Sequence, residues 1–221
     1  MDQKNCRRLG HGLLLLIAIV VLSTSSGCAA FKLASVLAYA WKGETVPAQY
    51  EGLQGKRVAV VCLSDSSMYA GQLSQAVEQL LESNVPKIET VPQREVYRWL
   101  DENNWNELDF SQIGEGVGAE VVVAIELESL RLYDGMTMFH GQADLSIVVY
   151  DVSQQDEVLF RTDPFRFSYP NNAPLATTDM PEKQFRRLFI NALSRRIATT
   201  FYGYDIHEDL AVDKTLIGAG R

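Results

Sequence analysis

The run Ser64-Asp65-Ser66-Ser67 directly follows the apolar stretch Val58 to Cys62, where an α/β enzyme can carry a nucleophile. The flanking glycines of a nucleophile elbow are missing, however. Short hydroxyl and carboxylate side chains at this position read instead as helix caps, accepting hydrogen bonds from the first unpaired backbone N–H groups. The histidines are His11, His140 and His207, and none has the local company of a triad base. His140, His207 and Cys62 are scattered, no His/Cys/carboxylate cluster has ligand spacing, and no metal or cofactor is expected. Gly114-Glu-Gly-Val-Gly118 has the look of a phosphate loop, but it closes a helix and precedes a strand. A dinucleotide loop needs the reverse order. Glu126 and Glu128 share one strand face by period-two spacing and read as exposed carboxylates near a sheet edge. Asp205, His207, Glu208 and Asp209 read as a solvated tail. The chain is therefore expected not to be an enzyme.

The cysteines are Cys6, Cys28 and Cys62. Cys28 stands at the end of a three-part leader. Lys4, Arg7 and Arg8 form a basic start, Leu13 to Leu22 an apolar centre, and Ser23 to Gly27 a run of small residues. That apolar centre is too short for ~30 Å of hydrocarbon, so a cleaved signal peptide over residues 1–27 is expected. The cysteine after Gly27 resembles the lipobox of bacterial lipoproteins, with Ser25 where that motif usually has Leu. The resemblance implies that Cys28 is acylated, with palmitate-type chains, and becomes the mature N-terminus. Ala29 resembles the outer-membrane sorting pattern, implying a periplasm-facing outer-membrane lipoprotein, with inner-membrane anchoring as the alternative. Cys6 leaves with the leader, and Cys62 stands alone within Arg57-Val-Ala-Val-Val-Cys62, as a small buried hydrophobe.

Apolar residues make up 47% and charged residues 22%, values of a globular chain. The formal net charge is −8, and losing Lys4, Arg7, Arg8 and Asp2 leaves the remainder two units more acidic. An acidic chain with no basic stripe repels nucleic-acid phosphate, so no nucleic-acid partner is expected. Membrane contact has to come from the acyl chains on Cys28.

These candidates must be positioned by a single α/β domain over residues 56–203, preceded by a lipidated tether at 28–55 and followed by an acidic flexible tail at 204–221. Within the tether, Ala29 to Trp41 is apolar and helix-compatible, suited to lying on the bilayer or packing on the domain. Val58 to Cys62 is continuous in apolar character, as in a strand covered on both faces. Tyr69, Leu73, Val77, Leu80 and Leu81 recur at helical spacing. Lys87 to Thr90 reads as a short strand, and Thr90, Pro92 and Gln93 resemble a capping box for a helix carrying Val96, Trp99 and Leu100. Asp109 with Gln112 starts a third helix that Gly118 stops. Three strands follow: Glu120 to Leu132, one centred on Ala143 to Val149 after the Asp134-Gly135 turn, and Val158 to Tyr169. The last helix carries Phe185, Leu188, Phe189, Ala192, Leu193, Ile197 and Phe201. The expected fold is α/β, a mixed sheet of about five strands in β-α-β-α-α-β-β-β-α order with helices packed on it.

Two surfaces invite a partner. Lys183, Arg186, Arg187, Arg195 and Arg196 place basic charge on the outer side of the last helix, fit for an acidic partner or phospholipid headgroups. Met136, Met138 and Phe139 are expected to be exposed at a hairpin tip, and apolar tips mark contact surfaces.

Lys56-Arg-Val-Ala-Val-Val61, Ile113-Gly114 with Val117 to Val123, and Ala143 to Val152 together resemble a group of periplasmic lipoproteins. The group comprises penicillin-binding-protein activators, the curli-secretion lipoprotein family and the TolB amino-terminal domain. The resemblance covers roughly residues 56–201 and implies the α/β architecture, the compartment and a non-enzymatic role. The first reading is a lipid-anchored protein-interaction module that binds another envelope protein in assembly or transport. A periplasmic small-molecule or glycan binder, with its cleft near Ser64 to Ser67, is the alternative, and an envelope hydrolase the third.

Overall fold

The computed structural model describes residues 45–64, 67–103, 109–154, 157–171 and 173–205. Cys28, the leader, Ser66 and the tail beyond Asp205 lie outside them. The chain divides into two units, Met1–Thr45 and Val46–Arg221, and the second holds the elements below.

Strand β1 (Arg57–Leu63) leads into helix α1 (Ser67–Asn84), then strand β2 (Glu89–Thr90) and helices α2 (Gln93–Glu102) and α3 (Phe110–Val117). The long strands β3 (Val121–Asp134) and β4 (Met138–Asp151) form a hairpin. The chain continues through β5 (Glu157–Arg161), β6 (Phe165–Tyr169) and β7 (Leu175–Ala176) into α4 (Glu182–Ala198). The seven strands form one mixed sheet in the order β2-β1-β3-β4-β5, with β6 and β7 also on β4. β1 pairs in parallel with both β2 and β3, as helical crossovers require, and the later strands are antiparallel.

The alternation of side chains across the sheet builds a core on each face. On one face Val58, Val60, Val123, Ile125, Leu145 and Ile147 meet α1 through Leu73, Val77 and Leu81, and α4 through Phe185, Phe189 and Leu193. On the other, Ala59, Val61, Val122, Ala124, Val148 and Tyr150 meet α2 through Val96 and α3 through Phe110 and Ile113. This is why Val58 to Val61 is apolar without a break: both faces of β1 are covered. Each fully buried aromatic of the α4 stripe contributes about 1.5–3 kcal/mol by leaving water.

The expected element order is met from β1 to β4 and again at α4, and α3 begins and ends as expected. The Gln112 N–H donates to Asp109 Oδ1 at 3.0 Å, and Gly118 closes the helix at φ +68°, where a glycine has no Cβ penalty.

Other expectations change. The strand expected over Val158 to Tyr169 is two strands, and Leu175–Ala176, where no strand is expected, adds one more, so the mixed sheet has seven strands and not about five. Pro164 has no N–H to give to a ladder. Around it the register slips by one residue, from Arg161 opposite Val148 to Phe165 opposite Leu145. Thr162 bridges the break, its N–H donating to the Ile147 carbonyl at 2.9 Å and its Oγ1 accepting from the Ile147 N–H at 3.0 Å.

The capping box at α2 does not form either, and Pro92 caps nothing with its side chain. Glu78 of α1 accepts the Gln93 N–H at 3.1 Å instead. The buried Gln93 side chain donates to the Val60 carbonyl at 2.9 Å, two residues beyond the rung from the Val91 N–H to Val58. Leu53, in the segment expected as tether, is fully buried in the first core.

Candidate functional site

β3 and β4 are joined by only Gly135, Met136 and Thr137, with Gly135 at φ +67°. So short a loop leaves one large apolar side chain at the tip. Met136 is 93% exposed and Met138 half-buried. Phe139, expected at the exposed tip, is buried at 2%. It is the second residue of β4, opposite Tyr133, and the pleat turns it onto the face that α4 covers. There its ring stacks on Phe185, with centroids 4.7 Å apart.

The two surfaces singled out from the sequence prove to be neighbours. The Tyr133 hydroxyl donates to Glu182 Oε2 at 2.7 Å, and Arg186 Nη2 donates to Glu182 Oε1 at 2.5 Å. Both bonds favour the charged carboxylate, so the Glu182 pKa lies below its usual range. Arg186 also lies over the Tyr69 ring, 5.9 Å from its centroid. Through Glu182 it therefore ties the tip end of the hairpin to α4 and, through Tyr69, to α1. Arg196 lies 4.9 Å over the Phe165 ring. Lys183 and Arg187 are exposed and have no ion pair among the described residues.

Helices α1 and α4 lie side by side and parallel on one face, so that Gln72 faces Lys183 to Arg187 and Ser83 faces Arg195. Small side chains at Ala76 and Ser194 leave a trough between them instead of a sealed seam. Three adjoining cavities follow it. The first, about 540 Å³, is lined by Gln72, Pro181, Lys183, Gln184, Arg186 and Arg187. The second, about 250 Å³, adds Gln75, Gln79, Ile190 and Asn191. The third, about 260 Å³, reaches Ser83 and Arg195. Among the described residues the trough carries amides, hydroxyls and cations, with no carboxylate and no aromatic ring. Such a lining can hydrogen-bond a polar chain and neutralise negative charge on it.

Sequence reasoning found the cations of this trough but missed its amides. Their signal was present, since Gln72, Gln75 and Gln79 recur at steps of three and four residues on the polar side of α1.

A fourth cavity of about 610 Å³ is lined by Tyr50, Lys56, Glu115, Glu120, Asp151 and Leu159 among others. It lies at the N-terminal ends of β1 and β3, the opposite end of the sheet from Ser64. Lys56 and Glu120 pair across it at 3.1 Å. Of the remaining candidates, Glu126 accepts from Ser146 at 2.6 Å and faces Arg161 at 3.6 Å. Glu128 is the extra residue where the β3–β4 register shifts, so the two carboxylates do not form a matched pair. His140 Nδ1 lies 3.9 Å from Asp134. Burial pushes the Cys62 thiol up to about 12. Among the described residues no group of three or more His, Cys, Asp or Glu could hold a metal, and no helix is long and apolar enough to cross a membrane.

Neither a family model nor a curated protein sequence matches the chain. Solved structures do. Lipoprotein GNA1162 from Neisseria meningitidis is 13% identical over 64% of this chain and 97% of its own, at a TM-score of 0.41. The PelC dodecamer from Paraburkholderia phytofirmans is 9% identical over 72% and 96%, at 0.39. The LpoB C-terminal domain from Salmonella enterica is 14% identical over 54% and 87%, at 0.38. With scores and identities this low, the likeness does not extend to what those proteins do.

Proposed function

We propose that this protein is a non-enzymatic module, attached to the cell envelope by acyl chains on Cys28, that binds another envelope protein. The docking surface in this reading is the α1–α4 trough, flanked by the Met136 tip. One observation carries it. Lys183 and Arg187 stand exposed without an ion pair among the described residues, beside a trough without a carboxylate, in a chain of net charge −8. Cations open to solvent beside a concave, amide-lined surface without a carboxylate suit a negatively charged partner.

The anchor rests on the leader and the lipobox resemblance, and Ala29 favours the periplasmic face of the outer membrane over inner-membrane retention. Metabolic labelling with a fatty-acid analogue tests it: the label is expected on the wild type and absent from Cys28→Ser. Docking is tested by crosslinking in intact envelopes, where Arg187→Glu is expected to remove a crosslinked species that the wild type forms. An unchanged pattern would overturn the trough reading.

The size of the first cavity supports a second reading. A volume of about 540 Å³ falls in the range of small-molecule sites and suits a soluble glycan or small ligand, held here and not in the cleft near Ser64 to Ser67 expected from the sequence. Thermal-shift measurements with charged and neutral oligosaccharides separate the two readings.

A further inference from the structure

Building on the docking reading, the geometry points to a specific occupant: an extended, acidic peptide segment of the partner, lying along the trough with two carboxylates four residues apart. Three observations converge on it.

The first is shape. From Gln72 to Ser83 the trough follows eleven residues of α1, roughly 16 Å at the helical rise. That is long and open for a compact ligand, and it spans about five residues of extended chain. The second is the lining. A carboxamide offers both a donor and an acceptor, as a peptide unit does, and Gln72, Gln75 and Gln79 present one at nearly every turn along α1. Asn191 continues the pattern on α4. Sugar rings are held by stacking on aromatic faces, and the described lining has no aromatic side chain, which favours a peptide over a glycan.

The third is charge. Lys183 and Arg187 stand at one end, and Arg195 is among the residues that line the other. Arg187 and Arg195 are eight residues apart on one helix, roughly 12 Å. In an extended peptide, carboxylates at positions i and i+4 lie on the same side and roughly 13 Å apart. One acidic group therefore meets each end of the trough. The residues between them meet the amide ladder and a floor of Ala76 and Ile190.

The test uses the full-length acylated protein in detergent micelles and three labelled synthetic peptides, read by fluorescence anisotropy at low salt. The first peptide contains Glu-Ala-Ser-Ala-Glu, the second has Gln for both Glu, and the third keeps both Glu but makes them adjacent. The spaced acidic peptide is expected to bind about tenfold more tightly than the Gln peptide, and more tightly than the adjacent-Glu peptide. Arg187→Glu is expected to abolish that preference, and Gln79→Ala to weaken binding several-fold, with circular dichroism unchanged. Equal binding of the acidic and Gln peptides overturns the inference. So does tighter, Arg187-dependent binding of an oligouronate, or of anionic vesicles, that displaces the peptide. If the peptides fail while Arg187→Glu still removes a crosslinked envelope species, docking stands and the acidic segment falls. If neither responds, both readings fall.

Discussion

The rings of Phe139 and Phe185 stack at a centroid distance of 4.7 Å and an interplanar angle of 10°. Through this contact the far end of the β3–β4 hairpin is held by α4. There β7 also borders β4, with Leu175 opposite Phe139, so the stack packs α4 onto a three-stranded part of the sheet. Phe139→Ala is therefore expected to destabilise the domain by about 3–5 kcal/mol, the usual cost of removing a buried phenyl ring. Urea unfolding measures this directly, and an unchanged midpoint would show that the stack carries no stability. Tyr169 and Tyr133, each within ring-contact distance of this pair, are expected to report the loosening by fluorescence.

Met136, three residues away, predicts the opposite. Its side chain is 93% exposed, so Met136→Ser is expected to change stability by less than about 0.5 kcal/mol. If the tip belongs to the docking surface, the same substitution weakens partner crosslinking. A large stability loss would mean that Met136 is packed in solution.

This contrast shows where the sequence was readable. Both faces of β1, the α4 stripe and the stop at Gly118 were legible because burial on a repeating element writes a period of two or about 3.6 into the chain. Phe139 is buried against the sequence expectation because proximity to a turn says little about exposure when the loop is only three residues long. Pro164 split a strand whose apolar pattern continues past it. At the site, the basic residues of α4 were visible as charges. That Arg186 is spent on Glu182 while Arg187 is not depends on how α1 and the hairpin meet α4, which no local pattern records. The amide ladder escaped notice because polar residues at helical spacing look like any solvated face.

Asp144 gives a pH prediction. Arg166 Nε and Nη2 donate to its two oxygens at 2.7 and 3.2 Å, and Ser129 donates at 2.8 Å. The Arg166 bond, then the Ser129 bond, holds the carboxyl below its ordinary 3.8. A carboxyl depressed in the folded state contributes stability above its unfolded pKa and loses it as pH falls through the folded value. The wild type is therefore expected to be more stable than Asp144→Asn at pH 6. The gap should close as the pH drops below about 3.8. A constant gap across that range would show that the substitution acts through packing and not through charge.

Gln93 extends the β2–β1 ladder past Pro92 by lending a side-chain amide to the Val60 carbonyl. Gln93→Ala leaves that buried carbonyl without the donor, an expected loss of about 1–3 kcal/mol. Glu78, whose pKa is raised chiefly by burial, keeps its bond to the backbone N–H at position 93 in the variant. Hydrogen exchange should then show faster opening at the start of α2 while α4 stays protected. Uniform acceleration across both helices would contradict a local role.

Cys62, expected as a buried hydrophobe, is half-buried and packs against the first core, so it offers a check on that edge. Burial pushes its thiol from an ordinary 9.0 up to about 12. At pH 8 the thiolate fraction is then about a thousandfold lower than for a free cysteine, and thiolate is the species that iodoacetamide alkylates. With Cys28 acylated, as proposed above, alkylation of Cys62 is expected to be negligible in buffer and complete in urea. Between those limits its rate should follow the population of opened molecules, provided reclosing outpaces the reagent. Phe139→Ala should accelerate labelling only if the hairpin and β1 open together. Unchanged labelling at lowered global stability would place Cys62 in a part of the sheet that opens independently of the stacked pair.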